Sequence, residues 1–467
     1  MLVFFLAVAC TSNHKAIKSP GNGYVSIDLD SIRKRGKLIA VTDFNSTNYF
    51  IYKGEPMGFN YELLKSFSDH IGVDVEIITN SNPSNACALL KNGEADLVAM
   101  GLDIGSFSDN EVLLTEPVDE TRLVLVQRKP GRRRAIEING SMVRHPQELA
   151  GKTVFVQGGT AVSRRLELLQ GVIGDSINVI EVPYEPEQLI GHVADGEIDY
   201  TVCEENVALV NSTYYPGIDA FTVISNPVSL AWGVRKNNSE ALIREVNRWL
   251  TAFKQTGTYS MLYAKYFKNQ NSSSIVKSDY YAISTGKVSQ YDDIIRQYSA
   301  LIKWDWRLLA SLIFQESRFQ ANVISTAGAY GLMQIMPVTG KNFGVDITLS
   351  PENNLKAGIL YINWLHSIFD SKIQDKKERM CFILASYNAG PGHILDAMKL
   401  AEKNGMDPYK WDGSVALWLT RKSDPRYYKD AVVKNGYFRG NESVAFVSQV
   451  MARFEHYKNI VPAGKPK

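Results

Sequence analysis

Cysteine is scarce. The 467 residues contain four, Cys10, Cys87, Cys203 and Cys381, with no C-x-x-C pair among them. Sequence neighbours therefore supply neither a zinc site nor a dithiol motif, and no disulfide scaffold is expected. Net charge is equally thin: 51 Lys and Arg stand against 49 Asp and Glu, leaving +2. No global field draws such a chain to nucleic acid or onto an acidic membrane, so no nucleic-acid partner is expected. A Gly-rich phosphate loop and a clustered ligand set are also missing, so no metal, nucleotide or redox cofactor is expected. No segment after Cys10 has the 18 or so uninterrupted apolar residues that a membrane helix needs. What remains is ordinary globular usage, 45% hydrophobic and 21% charged with 34 Gly and 17 Pro. It excludes collagen-like, coiled-coil and largely disordered chains. The length exceeds the roughly 250–300 residues at which one core stops growing, so two or three domains are expected.

The apolar run from Met1 ends at Cys10 and is followed by polar Thr11-Ser-Asn-His. It is shorter than the about 20 residues that span a bilayer but has the length of a signal-peptide core. Ala7 and Ala9 ahead of Cys10 resemble a bacterial lipoprotein box, in which the cysteine becomes the lipidated N-terminus. Two features depart from that pattern: Ala7 stands where Leu is usual, and no Lys or Arg precedes the run. A cleaved signal without lipid and a short uncleaved anchor are the alternatives. Lipidation at Cys10 implies a membrane contact through the N-terminal lipid, and Thr11 fits sorting to the periplasmic face of the outer membrane.

From Arg35 to about Lys268, short apolar β-type runs alternate with helical stretches, an α/β pattern. Lys37–Thr42 reads as a strand, Tyr61–Phe67 as a helix and Val73–Ile78 as the next strand. A second series runs through Lys152–Gln157, the helix Ala161–Leu169 and Val179–Pro183. Each series then carries a matching phrase, Leu90-Lys-Asn-Gly-Glu-Ala-Asp-Leu97 and Val193-Ala-Asp-Gly-Glu-Ile-Asp-Tyr200. In each, a helix ends at glycine and a strand follows the acidic residue, so two similar lobes are implied. Arg35-Gly-Lys-Leu-Ile-Ala-Val-Thr, Gly54-Glu-Pro-Met-Gly-Phe-Asn-Tyr-Glu-Leu-Leu and the two repeated phrases resemble family 3 solute-binding proteins, in the family order. The resemblance implies a two-lobed periplasmic-binding-protein-like domain over 31–268, with lobe 1 about 31–125 and 226–268 and lobe 2 about 126–225. Such lobes close on an amino acid or other small polar ligand. Where many amino-acid binders supply an arginine for the ligand carboxylate, Asp109 and Asn110 stand instead, so an ordinary free amino acid is disfavoured. Arg122 and Arg164 are the candidates to compensate. An α/β domain with no ligand is the bland alternative.

Residues 269–290 form a polar stretch without helical period, the best linker. Beyond it, apolar residues recur at helical spacing and strand runs are nearly absent, which predicts a mainly α domain over 291–460. Asp305 is a good N-cap for a helix whose apolar face includes Leu309, Leu312 and Ile313. Glu316 follows Leu309 by seven positions and Leu312 by four, which places its carboxyl on that apolar face. An unpaired carboxylate there has a raised pKa, as a general acid requires. Taken alone, such a glutamate is more often a surface residue or a cap.

Three further segments change the balance: Ser325-Thr-Ala-Gly-Ala-Tyr-Gly-Leu-Met-Gln-Ile-Met-Pro337, Asn354-Leu-Lys-Ala-Gly-Ile-Leu-Tyr361 and Leu384-Ala-Ser-Tyr-Asn-Ala-Gly-Pro-Gly392. With Glu316-Ser-Arg-Phe319 they resemble the lytic murein transglycosylases of lysozyme-like fold, motif by motif and in order. The resemblance implies cleavage of the β-1,4 bond between N-acetylmuramic acid and N-acetylglucosamine, with formation of 1,6-anhydro ends, and peptidoglycan strands as the partner. Glu316 is then the catalytic acid. Ser325 and Gln334 hydrogen-bond the sugar, Met333 packs on a ring face, and Tyr387 with Asn388 positions acid and sugar. Gly328, Gly331, Gly390 and Gly392 are read as backbone geometry. Near the C-terminus Glu442 matches a family position with a hydrogen-bonding role in the site, while Phe446 replaces the usual tyrosine. Trp304, Trp306, Trp364, Trp411 and Trp418 either stack on sugars or belong to the core. Glycosidases usually employ two carboxyl groups, yet the acids flanking Glu316, Asp305 and Asp346, read as a cap and a loop residue. The expected activity is thus a lytic transglycosylase whose first domain senses a muropeptide or other small ligand. The alternatives are a hydrolytic muramidase and a non-catalytic wall- or solute-binding lipoprotein.

Overall fold

The computed structural model describes residues 28–105, 107–130, 142–268 and 272–464. Cys10 and its flanking segment lie outside them, as do residues 269–271 at the head of the expected linker. In chain order the strands are β1 (Lys37–Thr42), β2 (Phe50–Tyr52), β3 (Glu55–Met57), β4 (Asp74–Thr79), β5 (Leu97–Asp103), β6 (Val112–Leu114), β7 (Asp119–Thr121), β8 (Leu123–Arg128), β9 (Thr153–Gln157), β10 (Asn178–Val182), β11 (Tyr200–Glu204), β12 (Ile218–Val223) and β13 (Val228–Arg235).

Two sheets result, one ordered β4-β1-β5-β13-β6 with β7 against β13, the other β10-β9-β11-β8-β12. In both, three parallel strands lie in the order second, first, third, and an antiparallel strand from the other half of the sequence joins the third. The repeated phrases therefore mark the same place in two similar lobes. The helix Pro83–Lys91 runs into Gly93 and the helix Pro186–Asp195 is capped by Gly196, both glycines at left-handed φ of 77° and 85°. Asp96, beyond the first of these, is buried and accepts the Ile39 N–H at 2.8 Å, which locks the helix end to β1. The chain crosses between lobes at Arg122 and again between β12 and β13. The first crossing falls before residue 125, because β8 pairs along its whole length with β11. Apolar side chains cover both faces of each sheet.

The C-terminal region is helical, and among the described residues no strand follows β13. Its core forms around the helix Trp306–Ser317, flanked by Pro351–Phe369, Lys376–Ala389 and Gly440–Ile460. The expected linker is not a loose connector where it is described. It contains the short helices Ser272–Val276 and Ala282–Thr285, and Val276, Tyr281, Ala282 and Val288 are buried. Polarity averaged over the stretch hides these anchors, which dock into the α/β and helical cores in turn.

The two regions share a packed interface. The β2–β3 hairpin turns through Lys53 and Gly54, both at positive φ, as a two-residue hairpin loop requires. The Gly54 carbonyl accepts the Tyr457 hydroxyl at 2.7 Å and Arg453 Nη1 at 3.1 Å. A Cβ at Gly54 would meet Phe319, Tyr457 and Phe314 at 2.7–2.8 Å, so only glycine fits this tip. Asn459 donates to the Ile77 carbonyl at 2.7 Å, and the Tyr49 hydroxyl bonds His456 Nδ1 at 2.8 Å. Burial pushes the His456 imidazole down to about 3, so it is neutral in this interface.

Candidate active site and ligand cleft

Asp305 caps the helix Trp306–Ser317 by accepting the Arg307 N–H at 3.0 Å, and it pairs with the Arg307 guanidinium at 2.6 Å. Every residue from Leu308 to Phe314 is buried, so Glu316 emerges in the last turn of a helix fixed by the core. Immediately after it, Arg318 and Phe319 both take left-handed φ, 50° and 60°. Non-glycine residues there cost on the order of 1–3 kcal/mol each. Packing sustains them: Phe319 lies edge-on to Phe314 at 5.8 Å, and the Arg453 guanidinium sits 3.8 Å from the centre of the Phe314 ring.

Glu316 makes no hydrogen bond or ion pair among the described residues. Burial alone pushes its carboxyl up to about 8, with no neighbouring carboxylate contributing. Asp305 is held by Arg307, and Asp346 accepts the Thr348 N–H and hydroxyl within its own loop. The acid is therefore solitary and protonated near neutral pH.

Tyr387, on the helix Lys376–Ala389, donates its hydroxyl to the Met333 carbonyl at 2.7 Å. Burial first, then the Glu316 and Tyr361 charges, holds this phenol far above its ordinary range, which places it in the field of the acid. Met333 itself departs from expectation. Its side chain is fully buried, against Gly358, where a Cβ would lie 2.2 Å from the Met333 Sδ. It is core rather than a platform for a sugar ring, because the glycine opposite opens a slot inward. Gln334 takes φ 46° and commits its amide N–H groups to the Val323 and Gly331 carbonyls at 3.1 and 2.9 Å, leaving its amide oxygen available. The Ser325 hydroxyl accepts the Ala329 N–H at 3.0 Å and keeps its own proton to donate.

Asn388 is exposed and accepts the Ser443 hydroxyl at 2.6 Å, which ties it to the start of the C-terminal helix. Glu442 is exposed and makes no hydrogen bond among the described residues, so the expected bond within the site is absent from this arrangement. Phe446 is packed in the core at 7% exposure, where a phenyl ring sits without a partner to satisfy. Trp304, Trp306, Trp411 and Trp418 are core residues, whereas Trp364 is 45% exposed and stacks on Tyr361 at 5.7 Å.

One residue without an assigned role in the sequence reading organises the site. Asn354 is buried, accepts the Met333 N–H at 2.8 Å and donates to the Tyr330 carbonyl at 2.7 Å, pinning the loop that receives the Tyr387 hydroxyl. Gly331 faces it at φ 81°, and a Cβ there would lie 2.5 Å from Asn354 Nδ2. The signal was a polar residue at the buried end of a helical apolar stripe. Asn354→Ala leaves the Met333 N–H buried without an acceptor, so urea unfolding is expected to show a loss of about 1–3 kcal/mol.

A second site lies between the lobes, a cavity of about 390 Å³. Asp109 and Arg164 line it, but Arg122 does not and instead pairs with Glu205 at 3.3 Å. Arg165, adjacent to the expected arginine, reaches across from the second lobe and grips Asp103 through two bonds of 2.7 Å.

Comparison with known proteins matches both regions. Residues 38–269 match the family described as bacterial extracellular solute-binding proteins, family 3, and residues 293–409 match the transglycosylase SLT domain. A membrane-bound lytic murein transglycosylase F from Desulfosudis oleivorans is 34% identical over 432 residues, covering 92% of this chain and 92% of that protein. The protein of that name from Pseudomonas fluorescens is 30% identical over 433 residues, 91% of this chain and 86% of that one. With both modules matched in order and nearly the whole length aligned, the chain belongs to the membrane-bound lytic murein transglycosylase F family.

Proposed function

We propose that the chain cleaves peptidoglycan non-hydrolytically, as a lyase, in cell-wall turnover, with its first module as a ligand-sensing regulator. The observation that carries the mechanism is the solitary, half-buried Glu316. Protonated, it donates to the oxygen linking N-acetylmuramic acid to N-acetylglucosamine as that bond breaks. The substrate acetamido group stabilises the cationic centre at C1. Glu316, now a carboxylate, accepts the proton of the muramic 6-hydroxyl as its oxygen closes on C1, giving the 1,6-anhydro ring. Tyr387 and Asn388 position the acid and sugar, and the Ser325 hydroxyl with the Gln334 oxygen engages the sugar's polar groups. A muramidase would add water instead, usually with a second carboxylate to activate that water, and among the described residues no carboxylate contributes to the Glu316 shift. Mass spectrometry of sugars released from purified peptidoglycan separates the two. Anhydro-muramyl ends support the lyase, and products one water heavier refute it.

The modules we assign are a signal segment over 1–10, a solute-binding domain over 31–268, a connector over 269–290 and the transglycosylase over 291–460. Among the described residues no helix is long and apolar enough to cross a membrane. The relatives' printed name is membrane-bound, and we assign that attachment to lipid on Cys10, at the periplasmic face of the outer membrane. Radiolabelled palmitate incorporation that survives Cys10→Ala would overturn this assignment.

The hairpin tip links the modules, because Gly54 abuts Phe314 and Phe319 on either side of the acid. Gly54→Val places a side chain where Cβ has no room, at φ 79°. It is expected to release the hairpin and raise amide exchange in both β2–β3 and residues 314–319, whereas exchange confined to the hairpin would show that the contact carries no coupling.

A further inference from the structure

The inter-lobe cavity is a ligand site on the reading of the first module as a solute-binding domain, and its side chains constrain what that ligand is. Five carboxylates line it, Asp43, Asp103, Asp109, Glu185 and Glu204, against three cations, Lys91, Arg164 and Arg165. Two of the cations are held by carboxylates of the same wall. Arg165 is held by both oxygens of Asp103, and Lys91 lies 3.0 Å from Asp109 and 3.6 Å from Glu111. Arg164 is solvent-exposed.

Three carboxylates are left facing the cavity without a cation. Glu204, at the end of β11, makes no hydrogen bond or ion pair among the described residues. Asp43 directs one oxygen to the Asn45 and Asn48 amides at 2.7 and 2.8 Å, while the other is shielded from solvent and has no partner. Glu185 accepts the Gln157 amide at 2.9 Å and a backbone N–H of its own helix, with the Ser81 hydroxyl beside it, and none of these is a cation. Burial raises all three, Asp43 to about 6, Glu185 to about 7 and Glu204 to about 8, and the Asp43 charge adds to the rise at Glu185 and Glu204. Desolvated carboxylates without counter-charge disfavour a further anion and favour a cation that supplies charge and N–H donors together. The rest of the wall suits an alkyl chain, with Met100, Leu102, Phe107 and Leu230 among its apolar members.

We propose that this cleft takes a small organic cation, a molecule carrying one or more ammonium groups on an apolar stem, with Glu204 and Asp43 receiving the ammonium. The selectivity comes from this chain's own substitutions: Asp109 stands where a cation for a carboxylate is expected, and Arg165, a guanidinium of the cavity wall, is bound to Asp103.

The test is titration calorimetry of the full chain in detergent with three probes of one length, cadaverine, 1,5-pentanediol and glutarate, together with L-lysinamide and a muropeptide digest. The expected result is saturable heat with cadaverine or lysinamide, at least tenfold weaker binding of the diol and none of glutarate. Glu204→Gln is expected to weaken the amine at least tenfold with its thermal melt at pH 7 no lower than that of the parent, which separates lost recognition from lost folding. Equal or tighter binding of glutarate or the diol, or an amine affinity indifferent to Glu204→Gln, overturns the proposal. Heat from the muropeptide digest without heat from either amine overturns the cationic class but leaves the module a solute binder. Silence from every probe overturns both.

Discussion

Glu316→Gln is expected to abolish release of anhydro-muramyl products, by about a thousandfold or more, while making the protein more stable at alkaline pH. Both effects come from one group. Glutamine keeps the shape of the side chain but has no proton to give to the leaving oxygen, and general acid catalysis contributes about 10²–10⁴-fold before its second role as base is counted. The stability effect follows by linkage. The folded carboxyl titrates at about 8 against an ordinary 4.5, because burial disfavours its charge. Between those values the native state binds more protons than the unfolded chain, so wild-type stability declines as pH rises through that window and the deficit is complete above 8. The ceiling is about 5 kcal/mol from the size of the shift, reduced by the solvent that reaches this half-buried carboxyl. The variant lacks the deficit, so its melting temperature should exceed the wild type's at pH 9 and match it near pH 4. Wild-type turnover, which starts from the acid form, should fall as pH rises through about 8. A variant that still forms anhydro ends, or that melts alike at both pH values, would remove Glu316 from this role.

Much of this arrangement was legible in the sequence because its causes are local. The strands of both lobes, the glycine-capped helices before the repeated phrases and the Asp305 cap follow from period, cap chemistry and turn residues, and they appear where expected. The spacing of Glu316 from Leu309 and Leu312 put its carboxyl on the apolar face, since a helix converts spacing into a face, while its role as the acid came from the resemblance of the surrounding motifs. The misreadings concern direction and long-range contact. Met333 looked available for a sugar, but whether it points in or out depends on Gly358, 25 positions later, leaving a slot for its sulfur. Glu442 sits at a helix start that faces solvent. The stretch 272–290 scored as polar because its anchoring pairs, such as Tyr281 and Ala282, are few and are used by different cores. Arg165 escaped notice because its partner, Asp103, belongs to the other lobe.

Lys422→Met is expected to cost about 3–5 kcal/mol in urea unfolding at pH 8, the largest stability loss predicted for a single side chain outside the acid helix. Lys422 is fully buried and Asp396 is 1% exposed, with Nζ 2.9 Å from the carboxylate and 3.0 Å from His393 Nδ1. Burial works against Asp396's charge, but the Lys434 backbone N–H, Lys422 and Asn435 together hold its carboxyl below the usual range. That carboxylate accepts the Lys434 and Asn435 N–H groups at 3.0 and 2.8 Å, and so shapes the segment leading into the C-terminal helix, whose Ser443 holds Asn388. Methionine preserves the apolar stem and removes the charge, leaving Asp396 buried without its cation, which is the expensive way to break such a pair. Without its cation the variant's carboxylate loses that support, so the loss should shrink as pH falls below the ordinary 3.8 and be gone only once the wild-type carboxyl, held lower, is protonated as well. Lys422→Met combined with Asp396→Asn removes both charges and should recover most of the loss. Were the single variant as stable as the parent at pH 8, or the double variant no better than the single, the pair would not be what holds this end of the site together.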